Sequence, residues 1–249
     1  MTNRMLARFA HRIFVSFEST RAYFSVKHVR VTGNPVRREI LTVAHRPPSS
    51  DTSKEVFTVF IAGGSQGAHS INMAVLAALE HLTEKNRYFF IHQTGSADER
   101  TVTAAYELSG VRSRVLPFIK DMASVYRDAD LIICRAGATT VAEITALGKA
   151  AIMIPFPYAA DDHQAMNARD LALQGAAEMI LEKDLTGHLL AQRIEFYADH
   201  PERLHQMETA AGALGNPDAA SAIVNECYRL LDMNDNPSTI GNRTSHYVF

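Results

Sequence analysis

The sequence predicts an α/β fold built on a doubly wound parallel sheet. Three observations carry that prediction. Apolar runs of strand length alternate with segments of helical period along most of the chain. The runs are apolar throughout rather than on alternate residues, which is how strands buried on both faces read. Gly, Pro, Asn or Asp separates each run from the next segment.

Taken in order, the expected strands lie at 56–62, 88–93, 114–118, 131–135, 150–156 and 178–181. The expected helices lie near 68–82, 97–108, 121–128, 140–147, 163–174 and 187–198, with two more near 201–214 and 217–232. Ahead of this βα series, Leu6, Phe9, Ala10, Ile13 and Phe14 recur at helical spacing, as on a helix packed against a surface. Residues 44–53, A-H-R-P-P-S-S-D-T-S, carry consecutive prolines and small polar residues and read as a linker or surface loop. Residues 234–249 show no periodicity and read as a frayed tail. No internal repeat of fixed period is present.

Composition narrows the function. With 249 residues, 47% hydrophobic and 21% charged, the chain has ample material for one large or two smaller cores and is not a disordered or collagen-like sequence. Twenty-five basic against 27 acidic side chains, net −2, give no global field for a polyanion, so no nucleic-acid partner is expected and any phosphate must be held locally. The two cysteines, Cys134 and Cys227, form no C-x-x-C pair, which fits a reducing compartment, with the cytosol as the default. The longest apolar stretch, 149–161, contains Pro155 and Pro157 and is too short to cross a bilayer. The basic, amphipathic opening raises a targeting peptide, but it lacks a small-residue cleavage site and an unbroken apolar core.

Chemistry-bearing residues gather where strands are expected to turn into helices. The first such turn is Gly63-Gly64-Ser65-Gln66-Gly67-Ala68, whose glycines let the backbone approach a ligand while the following helix offers unpaired N–H groups to an anion. Taken alone, such a glycine turn reads first as a tight βα turn with no ligand. A full G-x-G-x-x-G is missing and no acidic residue ends the next strand, which disfavours a nicotinamide dehydrogenase. The same turn satisfies G-x-S-x-G, a nucleophile elbow with Ser65 as nucleophile and Asp161 or Asp162, then His200 or His205, completing a triad. Those histidines lie in charged helical sequence and no H-G-G-G-like segment precedes the turn, so this reading is the weaker one.

The second turn, Cys134-Arg135-Ala136-Gly137-Ala138-Thr139-Thr140-Val141-Ala142-Glu143, sets another helix start on the same sheet edge. Thr140 and Glu143 have capping-box spacing, and that is the expectation from the residues alone. The alternative is that Glu143 faces the crevice and takes two ribose hydroxyls. The third segment, P-F-P-Y-A-A-D-D-H-Q leading into Asn167-Ala168-Arg169, brings imidazole and amide groups to the edge, with Asp161 or Asp162 read as an ordinary N-cap. No His, Cys or carboxylate pair repeats at ligand spacing, so no metal and no cofactor is expected.

Six motifs together resemble one family: T-G-N-P-V-R at 32–37, G-G-S-Q-G-A at 63–68, H-Q-T-G at 92–95, F-I-K-D-M at 118–122, C-R-A-G-A-T-T-V-A-E at 134–143, and D-H-Q with N-A-R at 162–169. They stand in the order and spacing of the MurG family of peptidoglycan UDP-GlcNAc transferases, and the likeness runs from about Asn3 to Leu231. It implies the C-terminal, Rossmann-like half of a GT-B glycosyltransferase. It also implies transfer of GlcNAc from UDP-GlcNAc to lipid I, giving lipid II with inversion, in cell-wall synthesis at the inner face of the bacterial membrane.

By the same resemblance Arg37 and the backbone of Ile119 address the uracil, Ser65 the diphosphate and Glu143 the ribose. Ala138, Thr139 and Thr140 line the phosphates and sugar, Val141 and Ala142 belong to the same UDP-GlcNAc site, and Gln164 bonds the GlcNAc hydroxyls. Gly64, Gln66, Gly67 and His163 stand beside these. Residues 1–31 then correspond to the end of an N-terminal acceptor domain, 32–231 to the UDP-GlcNAc-binding domain and 232–249 to a tail. The family's general base, its membrane-associating patch and a T-G-G-H loop belong to that N-terminal domain. The catalytic residue is therefore unknown in this chain, and activity alone is not expected. Self-association through the N-terminal helix is expected instead. Two other readings stay open: a nucleotide-sugar-binding module or split-enzyme subunit without turnover, and a related GT-B enzyme with another lipid acceptor.

Overall fold

In the computed structural model the described residues are 5–24, 28–44, 56–64, 67–159 and 162–235. A short parallel pair comes first: β1 (Ile13–Val15) and β2 (Val29–Val31), joined through α1 (Glu18–Arg21). Next come α2 (Arg38–Ala44), β3 (Phe57–Ala62), α3 (His69–His81), β4 (Tyr88–Gln93), α4 (Glu99–Ser109), β5 (Arg112–Leu116) and α5 (Met122–Asp128). The series continues with β6 (Leu131–Cys134), α6 (Ala138–Leu147), β7 (Ala151–Met153), α7 (His163–Leu173) and β8 (Glu178–Met179), then α8 (Gly187–Asp199), α9 (Pro201–Ala213) and α10 (Ala219–Asp235).

The main sheet is parallel throughout and ordered β5-β4-β3-β6-β7-β8. Counted within the sheet this is 3-2-1-4-5-6, the doubly wound order whose winding reverses between its first and fourth strands. Here that reversal lies between β3 and β6, where Ala62 pairs with Cys134 at the carboxyl edge. Ligands of such sheets bind in the crevice outside this point.

Successive strand residues feed opposite faces. Val59, Ile61, Phe90, Leu131, Ile133 and Ile152 pack with α3, α4 and α8. Phe60, Ala62, Ile91, Ile132, Cys134 and Met153 pack with α2, α5, α6 and α7. Strands buried on both faces need apolar residues at every position, which is why the sequence shows runs without alternation.

The expected strands and helices from 56 onward all appear, with shifted ends. The third strand is Arg112–Leu116 rather than 114–118, and the fifth shrinks to Ala151–Met153, because Pro155 and Pro157 leave the pairing early. The last helix runs to Asp235, beyond the expected end at 232. Residues 45–53 of the expected linker, Asp161, and 236–249 of the expected tail lie outside the described residues.

One expectation fails at the start of the chain. The stripe from Leu6 to Phe14 is not one helix: residues 7–9 turn, and Ile13 and Phe14 enter β1. Ile13 and Phe14 pair with Val29 and Arg30, so a strand partner overrides the local helical period. Several contacts tie this N-terminal unit to the rest. Arg12 pairs with Glu226 of α10 at 2.8 Å, Asn216 Nδ2 donates to Thr32 O at 2.7 Å, Tyr23 OH donates to Met166 Sδ at 2.9 Å, and the Ser19 hydroxyl donates to Asp170.

Candidate functional site

At the carboxyl end of β3 the chain turns through Gly63 and Gly64. Ser65 and Gln66 lie outside the described residues. Gly64 adopts φ +83° and its carbonyl accepts the Gly67 N–H at 3.1 Å. Gly67, at φ +78°, sits so close to the 94–95 backbone that a Cβ there would lie 2.1 Å from Thr94 O. Only glycine fits. The helix that follows, α3, has no side-chain cap at Ala68. Helix-start N–H groups of this kind can serve an outside acceptor.

Across the switch point, β6 ends at Cys134 and α6 starts at Ala138 with Gly137 as an uncapped N-cap. The Val141 N–H bonds Gly137 O at 2.9 Å, so the unpaired first-turn donors are those of Ala138, Thr139 and Thr140. The Val141 side chain is fully buried in the core, and Ala142 borders a cavity of about 430 Å³ between α6, α7 and the N-terminal unit. Cys134 is buried and its thiol is pushed up to about 12 by burial, so it is inert.

The capping-box expectation is overturned. Thr140 lies inside the helix, and Glu143 reaches elsewhere: its Oε1 accepts Arg37 Nε at 3.1 Å and Nη2 at 2.9 Å, and its Oε2 accepts the Tyr126 hydroxyl at 2.9 Å. Glu143 is only 3% exposed, and these hydrogen bonds offset the cost of burying its carboxylate. Burial, and next the Glu143 charge, raise the Tyr126 pKa well above its usual value, so Tyr126 stays protonated and donates. Arg37 itself is half-exposed at the rim.

Ile119, in the loop after β5, is buried, and its N–H donates to Gln93 Oε1 at 3.0 Å. On the other flank, Gln164 Oε1 accepts the Phe156 N–H at 3.0 Å, and Asn167 Nδ2 donates to Ala136 O at 3.0 Å, which ties α7 to the turn after β6. Asp162 occupies the N-cap position of α7 but bonds no first-turn N–H through its side chain; its φ is +55°. His163 is exposed at the first position of α7.

Several supporting residues escaped sequence reasoning. Arg135 donates to Ile154 O at 3.1 Å and to Ser70 Oγ at 3.0 Å and pairs with Glu182, so its charge joins the ends of β6 and β7 to α3. Tyr126 carries no local motif signal; Gln93 and Asn167 stand in the H-Q-T-G and N-A-R motifs, but their partners, Gly64, Ile119 and Ala136, are distant in sequence and leave no spacing to read. The histidines offered to a hydrolase triad are engaged on the outer helices: His200 Nδ1 lies 2.8 Å from Phe196 O, and His205 lies 3.6 Å from Glu208.

A parallel sheet of this order, with a glycine turn, two uncapped helix starts and a buried carboxylate at its reversal, defines a nucleotide-binding α/β domain. The chain belongs to glycosyltransferase family 28: the family's C-terminal domain matches residues 58–223. It is 49% identical over 232 residues to the UDP-N-acetylglucosamine--N-acetylmuramyl-(pentapeptide) pyrophosphoryl-undecaprenol N-acetylglucosamine transferase of Syntrophus aciditrophicus, covering 93% of this chain and 63% of that protein. The same-named protein of Geobacter sulfurreducens is 49% identical over 226 residues, covering 90% of this chain and 62% of that one. The crystal structure of Acinetobacter baumannii MurG superposes with a TM-score of 0.77 at 32% identity, covering 92% of this chain and 64% of that chain. The chain thus spans a little under two thirds of the relatives it matches.

Proposed function

We propose that this chain is the donor-binding part of a MurG-type transferase, holding UDP-GlcNAc at the switch point between β3 and β6. The observation that carries the reading is Glu143, a buried carboxylate at the crevice between a rim arginine and the uncapped start of α6. A carboxylate accepts two vicinal ribose hydroxyls, and helix N-termini hold a diphosphate without a metal. In this reading Arg37 leaves Glu143 for the uracil as the ribose arrives, while Tyr126 keeps Oε2 in place. Ile119 offers the uracil its carbonyl, its N–H being engaged by Gln93. The N–H groups of Ala138, Thr139 and Thr140, with Ser65 and the turn at Gly64, Gln66 and Gly67, bind the phosphates. Gln164, with His163 beside it, meets the GlcNAc hydroxyls.

Transfer then follows the whole relative's chemistry. A hydroxyl of lipid I attacks the anomeric carbon as UDP departs from the opposite face, and a base takes the hydroxyl proton. That base and the surface for lipid I belong to a part of the relatives that this chain does not span. Residues 32–231 form the donor domain and 1–31 the end of its companion. Among the described residues no helix is long and apolar enough to cross a membrane, and peripheral attachment at the inner face of the cell membrane is the location this reading implies.

Calorimetry with UDP-GlcNAc on the purified chain tests the reading. Binding is expected in the parent and at least about tenfold weaker in Glu143→Ala, since charged hydrogen bonds contribute on the order of 1.5–3 kcal/mol each. No heat of binding in the parent would sink it. Turnover is expected only when the N-terminal part of a relative is supplied with lipid I.

A further inference from the structure

We propose that Gln93 is a positioning residue that sets the distance between the base-binding and diphosphate-binding backbones, so that a nucleoside diphosphate engages both at once. This rests on the donor-binding reading above. Gln93 is the last residue of β4 and only 4% exposed. Its strand lies between β3 and β5, so its side chain stands between the two loops that leave their carboxyl ends. Nε2 donates to Gly64 O at 2.8 Å, and Oε1 accepts the Ile119 N–H at 3.0 Å.

The two partners leave no choice of amide orientation, because a carbonyl can only accept and a backbone N–H can only donate. A neutral fork with one donor and one acceptor is what this position requires. The neighbouring backbone continues the same bridge. The Thr94 N–H donates to Leu116 O at 3.0 Å and the Gly95 N–H to Pro117 O at 3.1 Å, so the β4–β5 ladder runs on into the base-side loop. On the other side Thr94 O packs against Gly67, which closes the glycine turn. Gln93 therefore joins two loops that are otherwise separated by the width of a strand.

A nucleoside diphosphate spans those loops, and a misplacement of about an ångström at either end breaks simultaneous engagement. The bridge also acts on specificity. With its N–H committed to Gln93, Ile119 has a carbonyl to present, which accepts from the imide N–H of uracil and is repelled by the unprotonated ring nitrogen of cytosine.

The experiment compares the affinities of UDP, UMP and CDP for the parent, Gln93→Met and Gln93→Glu by calorimetry, with thermal melts alongside. Methionine keeps the length and loses both hydrogen bonds, whereas glutamate keeps the acceptor for Ile119 and sets a carboxylate oxygen against Gly64 O. The expected result in Gln93→Met is about a tenfold loss of UDP affinity, a smaller loss for UMP, and a reduced preference for UDP over CDP. Gln93→Glu is expected to lose UDP affinity but keep the preference for uracil. A folded Gln93→Met with the parent's UDP affinity and UDP-to-UMP ratio overturns the proposal. Should that variant fail to fold, hydrogen exchange in the parent decides: the Ile119 amide is expected to be protected before ligand is added, and rapid exchange there overturns the bridge. A parent that binds no UDP removes the donor-binding reading itself and this inference with it, an outcome separate from a parent that binds and a variant that binds equally well.

Discussion

His92 is wholly buried and hydrogen-bonded on both ring nitrogens. Asn72 uses its amide N–H groups on Thr94 O at 2.9 Å and Asp98 at 2.7 Å, so its carbonyl must accept from His92 Nε2 at 3.0 Å. The proton therefore sits on Nε2, and Nδ1 accepts the Tyr106 hydroxyl at 3.2 Å. Burial lowers the pKa of this ring to about 3. An unfolded histidine titrates near 6.5, so between those values the unfolded chain binds a proton that the native chain does not, and stability falls as pH falls. Two units below the unfolded value the loss reaches about 3 kcal/mol. Urea titrations at pH 7 and pH 4.5 are expected to show this decline in the parent and much less of it in His92→Gln. An equal decline in both would place the sensitivity elsewhere.

At the scale of elements, the start of α3 is tightly constrained at Gly67. Gly67 combines φ +78° with contact against Thr94 O, whereas Gly110, at the end of α4, combines φ +71° with open space. Gly110→Ala is expected to cost about 1 kcal/mol, from the left-handed backbone alone. Gly67→Ala adds a clash with a carbonyl held in the β4–β5 edge, and its expected cost exceeds 2 kcal/mol. Melting and UDP titration of the pair check this: loss of nucleotide binding is expected in Gly67→Ala only. Similar melting points for both would show that the turn can shift away from Thr94.

At the scale of the molecule, the sheet order and the contacts of the N-terminal unit decide what is covered and what is bare. Met5, Leu6 and Phe9 are 67%, 60% and 83% exposed, and α10 leaves Val224, Tyr228 and Leu231 exposed at helical spacing. Apolar surface of this kind associates. The purified chain is expected to sediment above monomer mass and to bind a hydrophobic dye, and Phe9→Ser with Tyr228→Ser is expected to lower both. A dye-silent monomer would count against self-association.

Most of the main sheet was legible because its physics is local. A strand buried on both faces must be apolar at each position, and a strand-to-helix turn at a crowded edge must use glycine, so 57–62, 63–67 and 131–137 announce themselves. Where the local signal conflicted with a distant partner it misled: Ile13 and Phe14 keep helical spacing with Leu6 yet pair with β2, and Glu143 sits at cap spacing from Thr140 yet bonds Arg37, 106 residues away. By itself the sequence determined the alternation of elements, the glycine turns and, through six ordered motifs, the family. Only the tertiary structure decided the strand order, the Arg37–Glu143–Tyr126 cluster and the Gln93 bridge between Gly64 and Ile119. These rest on partners brought together by packing, and a pairing across 17 to 106 residues leaves no period or spacing in the chain.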